Sequence, residues 1–240
     1  VTSTRSGLAV PDWPLSFGGL FPRMVGGVRF EHTHRLIAST VGLLTLILTI
    51  WIGKTEPRRW VRWLAIAALG AVVLQGILGG LTVLHKLPAP ESIAHACLGP
   101  SFFSLIVSLC VVHSPGWERP RISFLKVLGV AAVFFQILLG AVVRHTGQTV
   151  WFHIGWAFGV LAVIGFVVSR SLSRTALLLG FLVVLEFFLG IGAFVFTRIE
   201  GIESQVGRVL FPTIHQTLGA LILATTVALT LQKRQWPETP

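Results

Sequence analysis

Charge is what this sequence has least of. Only 12% of its 240 residues are Asp, Glu, Lys or Arg, against roughly 25% in an ordinary soluble domain. With 53% hydrophobic residues and a mean hydropathy of +0.81, that scarcity excludes a soluble enzyme, a disordered tail and a nucleic-acid-binding domain. Acid is scarcer than base, at 9 Asp+Glu against 19 Lys+Arg. In a chain this apolar, the basic surplus marks loops that face an anionic membrane surface. Cysteine is nearly missing too: Cys97 and Cys110 both lie inside an apolar run and staple no secreted framework. The alternating polarity of membrane barrel strands is absent. The composition is that of an integral membrane protein made of helices.

A helix needs about 20 apolar residues to cross a bilayer core. Stretches at 36–53, 63–84, 92–112, 127–143, 146–169, 175–197 and 209–232 qualify. Apart from His95, His153 and His215, Glu186 is the only acid or base among them. Lys and Arg concentrate at 54–62, 119–126, 170–174 and 233–234. The positive-inside bias therefore places those segments and the C-terminus in the cytoplasm, and Val1 outside. Trp51, Trp60, Trp63, Trp117, Trp151 and Trp236 fall near span ends, as interfacial anchors do. The opening Val1-Thr2-Ser3-Thr4 resembles Val143-Arg144-His145-Thr146 after the fourth span. On that likeness, Val1 is the outer end of a further helix.

An internal repeat carries the chemistry. Gln/Glu-x-x-Leu-Gly recurs at Gln75–Gly79, Gln136–Gly140 and Glu186–Gly190, each followed by a histidine opening the next helix: His95, His153 and His215. His34 opens the first span in the same way. The unit is a helical hairpin whose second member begins with histidine. Four residues after each histidine stands a small residue, Ala38, Gly99, Ala157 or Gly219. Positions i and i+4 share a helix face, so small residues there leave room for a flat ligand, although Gly and Ala are common at membrane helix contacts anyway. Imidazoles on paired helices of a bundle are haem-iron ligands. The spacings hold no His-x-x-x-His and no cysteine cluster, which argues against zinc. Without Cys-x-x-Cys-His, any haem is held non-covalently. Gln75, Gln136 and Glu186 are expected to face the bundle interior, where buried polar groups find partners, and Glu186 is a candidate for a proton path. His32 and His85 read as loop or interface residues and His113 as solvated. His145 opens an outer loop beside Arg144.

The first loop reads Gly7-Leu8-Ala9-Val10-Pro11-Asp12-Trp13-Pro14, followed by Glu31-His32-Thr33-His34-Arg35 and later by Gly140-Ala141-Val142-Val143-Arg144-His145. Together these phrases resemble the haem A synthase family of membrane enzymes along the whole chain. The resemblance implies an all-α polytopic protein: seven transmembrane helices here, eight in the family, in two pseudo-repeated four-helix bundles. The N-terminal half, 1–113, takes the substrate haem O. The C-terminal half, 114–240, holds the cofactor haem b. The implied reaction oxidises the C8 methyl of haem O to a formyl group, giving haem A for terminal oxidases. By match of motif, His34 and His95 are the substrate-haem ligands, His153 and His215 the axial haem b ligands, and Glu31 the catalytic carboxylate. Many members carry cysteines at the positions of Val10 and Ser16, which this chain lacks.

The implied partners are haem O and the enzyme that makes it, membrane lipid, and an electron donor or acceptor, with no nucleic acid. The implied location is a bacterial cell membrane in preference to the mitochondrial inner membrane. Haem propionates are expected to point outward, towards Arg35, Arg144, Arg198 or Arg208, because carboxylates seek the interface and basic partners. Two other readings fit histidine pairs in a bundle: a di-haem cytochrome b-like electron carrier, and a transporter with structural histidines.

Overall fold

Long apolar runs in this chain satisfy their backbone polar groups within single segments, which in a lipid environment only helices achieve without closing a barrel. The computed structural model describes residues 7–171, 173–202 and 204–232. Val1-Thr2-Ser3-Thr4, Lys233, Arg234 and Trp236 lie outside them, so the expectations placed on those residues are not addressed by the fold. The described elements are α1 (Val28–Thr55), α2 (Arg59–Leu84), α3 (Ala89–Val112), α4 (Phe124–Thr146), α5 (Val150–Ser169), α6 (Arg174–Arg198) and α7 (Gln205–Leu231). All 7 are long and apolar enough to cross a membrane. Among the described residues there is no strand, only an isolated bridge between Ser16 and Gly19.

The helix ends differ from the hydropathy windows for identifiable reasons. The first helix starts at Val28 rather than at residue 36. Its opening turns hold Glu31, His32, His34 and Arg35, too polar for a hydropathy window yet compatible with helix. The fourth helix runs on to Thr146, where Gly147 (φ 75°) caps it in the left-handed region and donates its N–H to Val143. A glycine takes that conformation without a Cβ penalty. His145 therefore lies in the last turn of α4 and opens no loop. Ser173 and Ser204 cap α6 and α7, accepting hydrogen bonds from the N–H of Ala176 and Gly207, the usual way to satisfy an orphan donor of the first turn.

Two compact units are present, Val1–Phe102 and Phe103–Pro240. In the first, α1 packs on α2, with Thr45 and Ile52 of α1 and Val61, Ala65 and Ala68 of α2 buried. In the second, α4 meets α5 and α7, and α6 also meets α5 and α7, so four helices close a ring. Its buried core joins Ala132 and Val133, Val160 and Ile164, Leu179 and Val183, and Ile222 and Leu223. Those residues lie in the first half of α4 and α6 and the second half of α5 and α7. The apolar plug thus fills one end of the bundle, and the histidines at the starts of α5 and α7 stand at the other.

Candidate functional sites: two histidine pairs and a clasped loop

Each helix that opens with histidine brings its imidazole against the Gln/Glu-x-x-Leu-Gly segment of the helix before it, where such a segment exists. A Cβ added to Gly79 would stand 3.2 Å from Cε1 of His95, one on Gly140 3.0 Å from Cε1 of His153, and one on Gly190 3.1 Å from Cε1 of His215. The glycine of the repeat is the surface on which the ring lies. Gln75 Nε2 donates to the carbonyl of His95 at 3.0 Å, and Gln136 Nε2 donates to that of His153 at 3.0 Å. His95 Nδ1 lies 3.1 Å from the carbonyl of Gln75, and His215 Nδ1 lies 3.1 Å from Oε1 of Glu186. As expected, the repeat's polar residue turns towards the next helix.

Two of the four small residues that stand four positions after the histidines also lie against the polar side chain of the preceding helix. A Cβ on Gly99 would stand 3.3 Å from Nε2 of Gln75, and one on Gly219 would stand 3.1 Å from Oε1 of Glu186. At these two positions the small residue leaves room for that side chain. We expect Gly140→Ala to push His153 aside, because overpacking a tight contact costs about 1–3 kcal/mol. The measurement is thermal stability of the purified variant, read beside its absorption spectrum.

The histidines meet in pairs. Within the first unit, the rings of His34 and His95 have centroids 6.5 Å apart at an interplanar angle of 76°. Within the second, His153 and His215 lie 6.1 Å apart at 85°. Among the described residues no group of three or more His, Cys, Asp and Glu could hold a metal ion. Each pair therefore offers two nitrogens and no third protein donor of those types.

Glu31 lies on the same face of α1 as His34 and Arg35. It is 3% exposed, and both of its oxygens are occupied. Oε2 accepts the N–H of Val10 at 3.0 Å, and Oε1 accepts from Nη2 of Arg35 at 2.6 Å. Arg35 Nη1 also donates to the carbonyls of Asp12 (2.7 Å) and Leu15 (2.5 Å), and Nη2 to that of Val10 (3.3 Å). The guanidinium is thus committed to the first loop instead of standing ready for a propionate. Arg198 and Arg208 each donate to a backbone carbonyl, of Gly147 and Ile202 respectively.

His32 is a second departure. It is 6% exposed, inside α1 rather than in a loop, and its Nδ1 lies 2.8 Å from the hydroxyl of Ser16. Val10 and Ser16 are both buried against the head of α1. Trp13 lies flat on α2, so close that a Cβ on Gly80 would stand 2.7 Å from its indole. At the loop tip, Asp12 accepts the N–H groups of Phe17 and Gly18, each at 2.8 Å.

Those two amides, Gly18 first and then Phe17, hold the Asp12 carboxyl below its ordinary value of 3.8. Its support of the loop tip is therefore complete above that ordinary value and is lost as pH falls through the lowered one. Hydrogen exchange at the Phe17 and Gly18 amides, corrected for intrinsic pH dependence, is expected to lose protection on acidification. The same amides in Asp12→Asn should respond far less to pH.

Long apolar helices with imidazoles paired across them define a polytopic membrane protein with two histidine-pair sites. The COX15-CtaA family, described as cytochrome oxidase assembly protein, matches residues 28–153. The chain belongs to this family. The match contains Glu31, His34, His95 and His153, and His215 lies beyond it. The heme A synthase of Symbiobacterium thermophilum is 29% identical over 166 residues, covering 62% of this chain and 54% of that protein. The heme A synthase of Shouchella clausii is 33% identical over 163 residues, covering 62% and 54%. That of Bacillus licheniformis is 27% identical over 160 residues, covering 62% and 53%. The chain spans about half the length of the curated relatives it matches. No solved structure matches it. With its membrane-length helices and bacterial relatives, it is a multi-pass bacterial membrane protein.

Proposed function

We propose that the protein is a haem A synthase: it takes haem O between His34 and His95 and oxidises the C8 methyl to a formyl group, giving haem A. The observation that carries haem binding is the pairing of imidazoles at 6.5 and 6.1 Å, and the Glu31 carboxylate one turn before His34 favours a synthase over an electron carrier. Imidazole nitrogens bind a metal ion such as zinc at about 2.0–2.1 Å. Two rings facing one ion at about that distance have centroids roughly 6 Å apart, since each nitrogen lies about 1 Å from its ring centre. Two protein nitrogens without a third donor suit an ion whose other ligands come from a macrocycle, so the residues fit haem. The names of the relatives point the same way.

In this reading the halves 1–113 and 114–240 each serve one haem. His153 and His215 hold haem b, which when bound supplies a one-electron carrier. In the first half, His34 and His95 fix the substrate's iron, and with it the position of the methyl. With water supplying the oxygen, the change from methyl to formyl releases four protons and four electrons, and an external acceptor must take the electrons. Glu31, three residues before His34, is the carboxylate we assign to receive the protons. Arg35 and the amide of Val10 hold it in place.

Histidines opening α1, α3, α5 and α7 all fall on the outer side if the positive-inside bias holds, with the C-terminus cytoplasmic. The test is haem extraction and mass analysis from cells that make haem O, with and without the protein. A formyl-bearing product that depends on the protein supports the synthase. Bound haem with unaltered chemistry instead supports an electron carrier.

A further inference from the structure

The three slots of the repeat differ in one atom. Gln75 and Gln136 present an amide that donates N–H to the carbonyl of the facing histidine. At the third slot Glu186 has no amide hydrogen, and an ionised carboxylate set against a carbonyl finds no donor there. Its Oε1 lies instead 3.1 Å from Nδ1 of His215. The contact is held on both sides. His215 rests on Gly190, and Gly219 leaves the space that Oε1 fills, since a Cβ there would approach it to 3.1 Å. Both side chains are mostly covered, at 24% and 19% exposure. By contrast, Nδ1 of His95 faces the backbone carbonyl of Gln75, a neutral acceptor.

We propose that Glu186 is a positioning residue that sets the reduction potential at the second histidine pair, by holding its carboxylate 3.1 Å from Nδ1 of His215, where no hydrogen bond forms in this structure, and making that imidazole the stronger donor. The proposal rests on the reading that this pair holds haem. A carboxylate behind a ligating imidazole fixes its tautomer, leaving Nε2 for the metal, and raises its basicity. Stronger donation favours the oxidised iron. A negative charge close to the ligand acts in the same direction and is weakly screened away from water. Hydrogen bonding behind a ligand is one of the levers by which a protein places a haem potential. The chain therefore gives its two imidazole pairs different electronic environments, through a single Glu-for-Gln difference between equivalent helices. A merely structural Glu186 would hold α6 to α7 and leave the potential where an amide puts it.

The test is a potentiometric titration of the full chain purified from haem-replete cells, in a His95→Leu background that leaves the second histidine pair as the one intact. Glu186→Gln is expected to retain the haem and to move its midpoint potential upward, with a changed low-spin electron-resonance spectrum. Gln136→Glu, which puts a carboxylate behind the other imidazole of the same pair, is expected to move it downward. A potential unchanged or lowered in a haem-bearing Glu186→Gln protein overturns the proposal. Should that variant lose its haem, the Gln136→Glu protein decides: a lowered potential supports the proposal and an unmoved one overturns it. A parent protein that shows no haem absorption at all fails the underlying site reading, and the proposal falls with it.

Discussion

Changing His153 or His215 to Leu is expected to remove or recast the haem absorption of the purified protein. Leucine has no donor atom, so either change leaves one imidazole where two stood 6.1 Å apart. Ligation by one histidine instead of two alters spin state, spectrum and affinity together. Methionine at either position keeps a donor of another kind, and there the spectrum shifts rather than disappears. The matched control is His113→Leu, because His113 follows the end of α3, is exposed, and places Nδ1 2.8 Å from the carbonyl of Leu109. It should leave the spectrum untouched. Wild-type spectra from both single variants at 153 and 215 would remove these residues from the site.

Glu31→Gln is expected to keep haem bound through His34 and His95 while haem A production drops about 100-fold or more, the usual range when a general base is lost. The substituted amide offers an oxygen to only one of two donors, the N–H of Val10 or the guanidinium of Arg35, and sets its own NH2 against the other. Glu31→Ala deserts both. Leaving a buried donor without an acceptor costs about 1–3 kcal/mol, so the alanine variant also loosens the first loop, visible as faster proteolysis around residues 7–27. The two variants separate chemistry from architecture. Equal losses of product with an intact loop in the glutamine protein mark the carboxylate as the proton acceptor. A glutamine protein that makes wild-type amounts of haem A, judged by extraction and mass analysis, reduces Glu31 to a clasp.

Much of this was legible in the chain, because periodicity and hydropathy are local. Seven apolar stretches predicted seven helices, and the Gln/Glu-x-x-Leu-Gly repeat pointed to the segments that cradle His95, His153 and His215. Boundaries were less legible. The polar start of α1 hid eight helical residues from a hydropathy window, and Gly147 ended α4 three residues later than the apolar run suggested. Contacts distant in sequence were not legible at all. Nothing near His32 announces Ser16, sixteen residues earlier, and nothing near Arg35 announces three carbonyls of the preceding loop. The spacing of the small residues was legible, but the Gln75 and Glu186 side chains that Gly99 and Gly219 accommodate were not. Pattern locates a close approach without saying what approaches.

The first loop also has a history imposed by its anchors. Residues 7–27 leave the ribosome before everything that holds them: Glu31, His32 and Arg35 follow on α1, and Gly80, beneath the Trp13 indole, comes only near the end of α2. At synthesis rates of about 5–20 residues per second, the segment spends several seconds without its seat. The loop therefore closes last, once the α1–α2 hairpin has formed. A defect in the pairing of those two helices would surface first as an unfinished loop, open to proteolysis before any loss of the helices themselves.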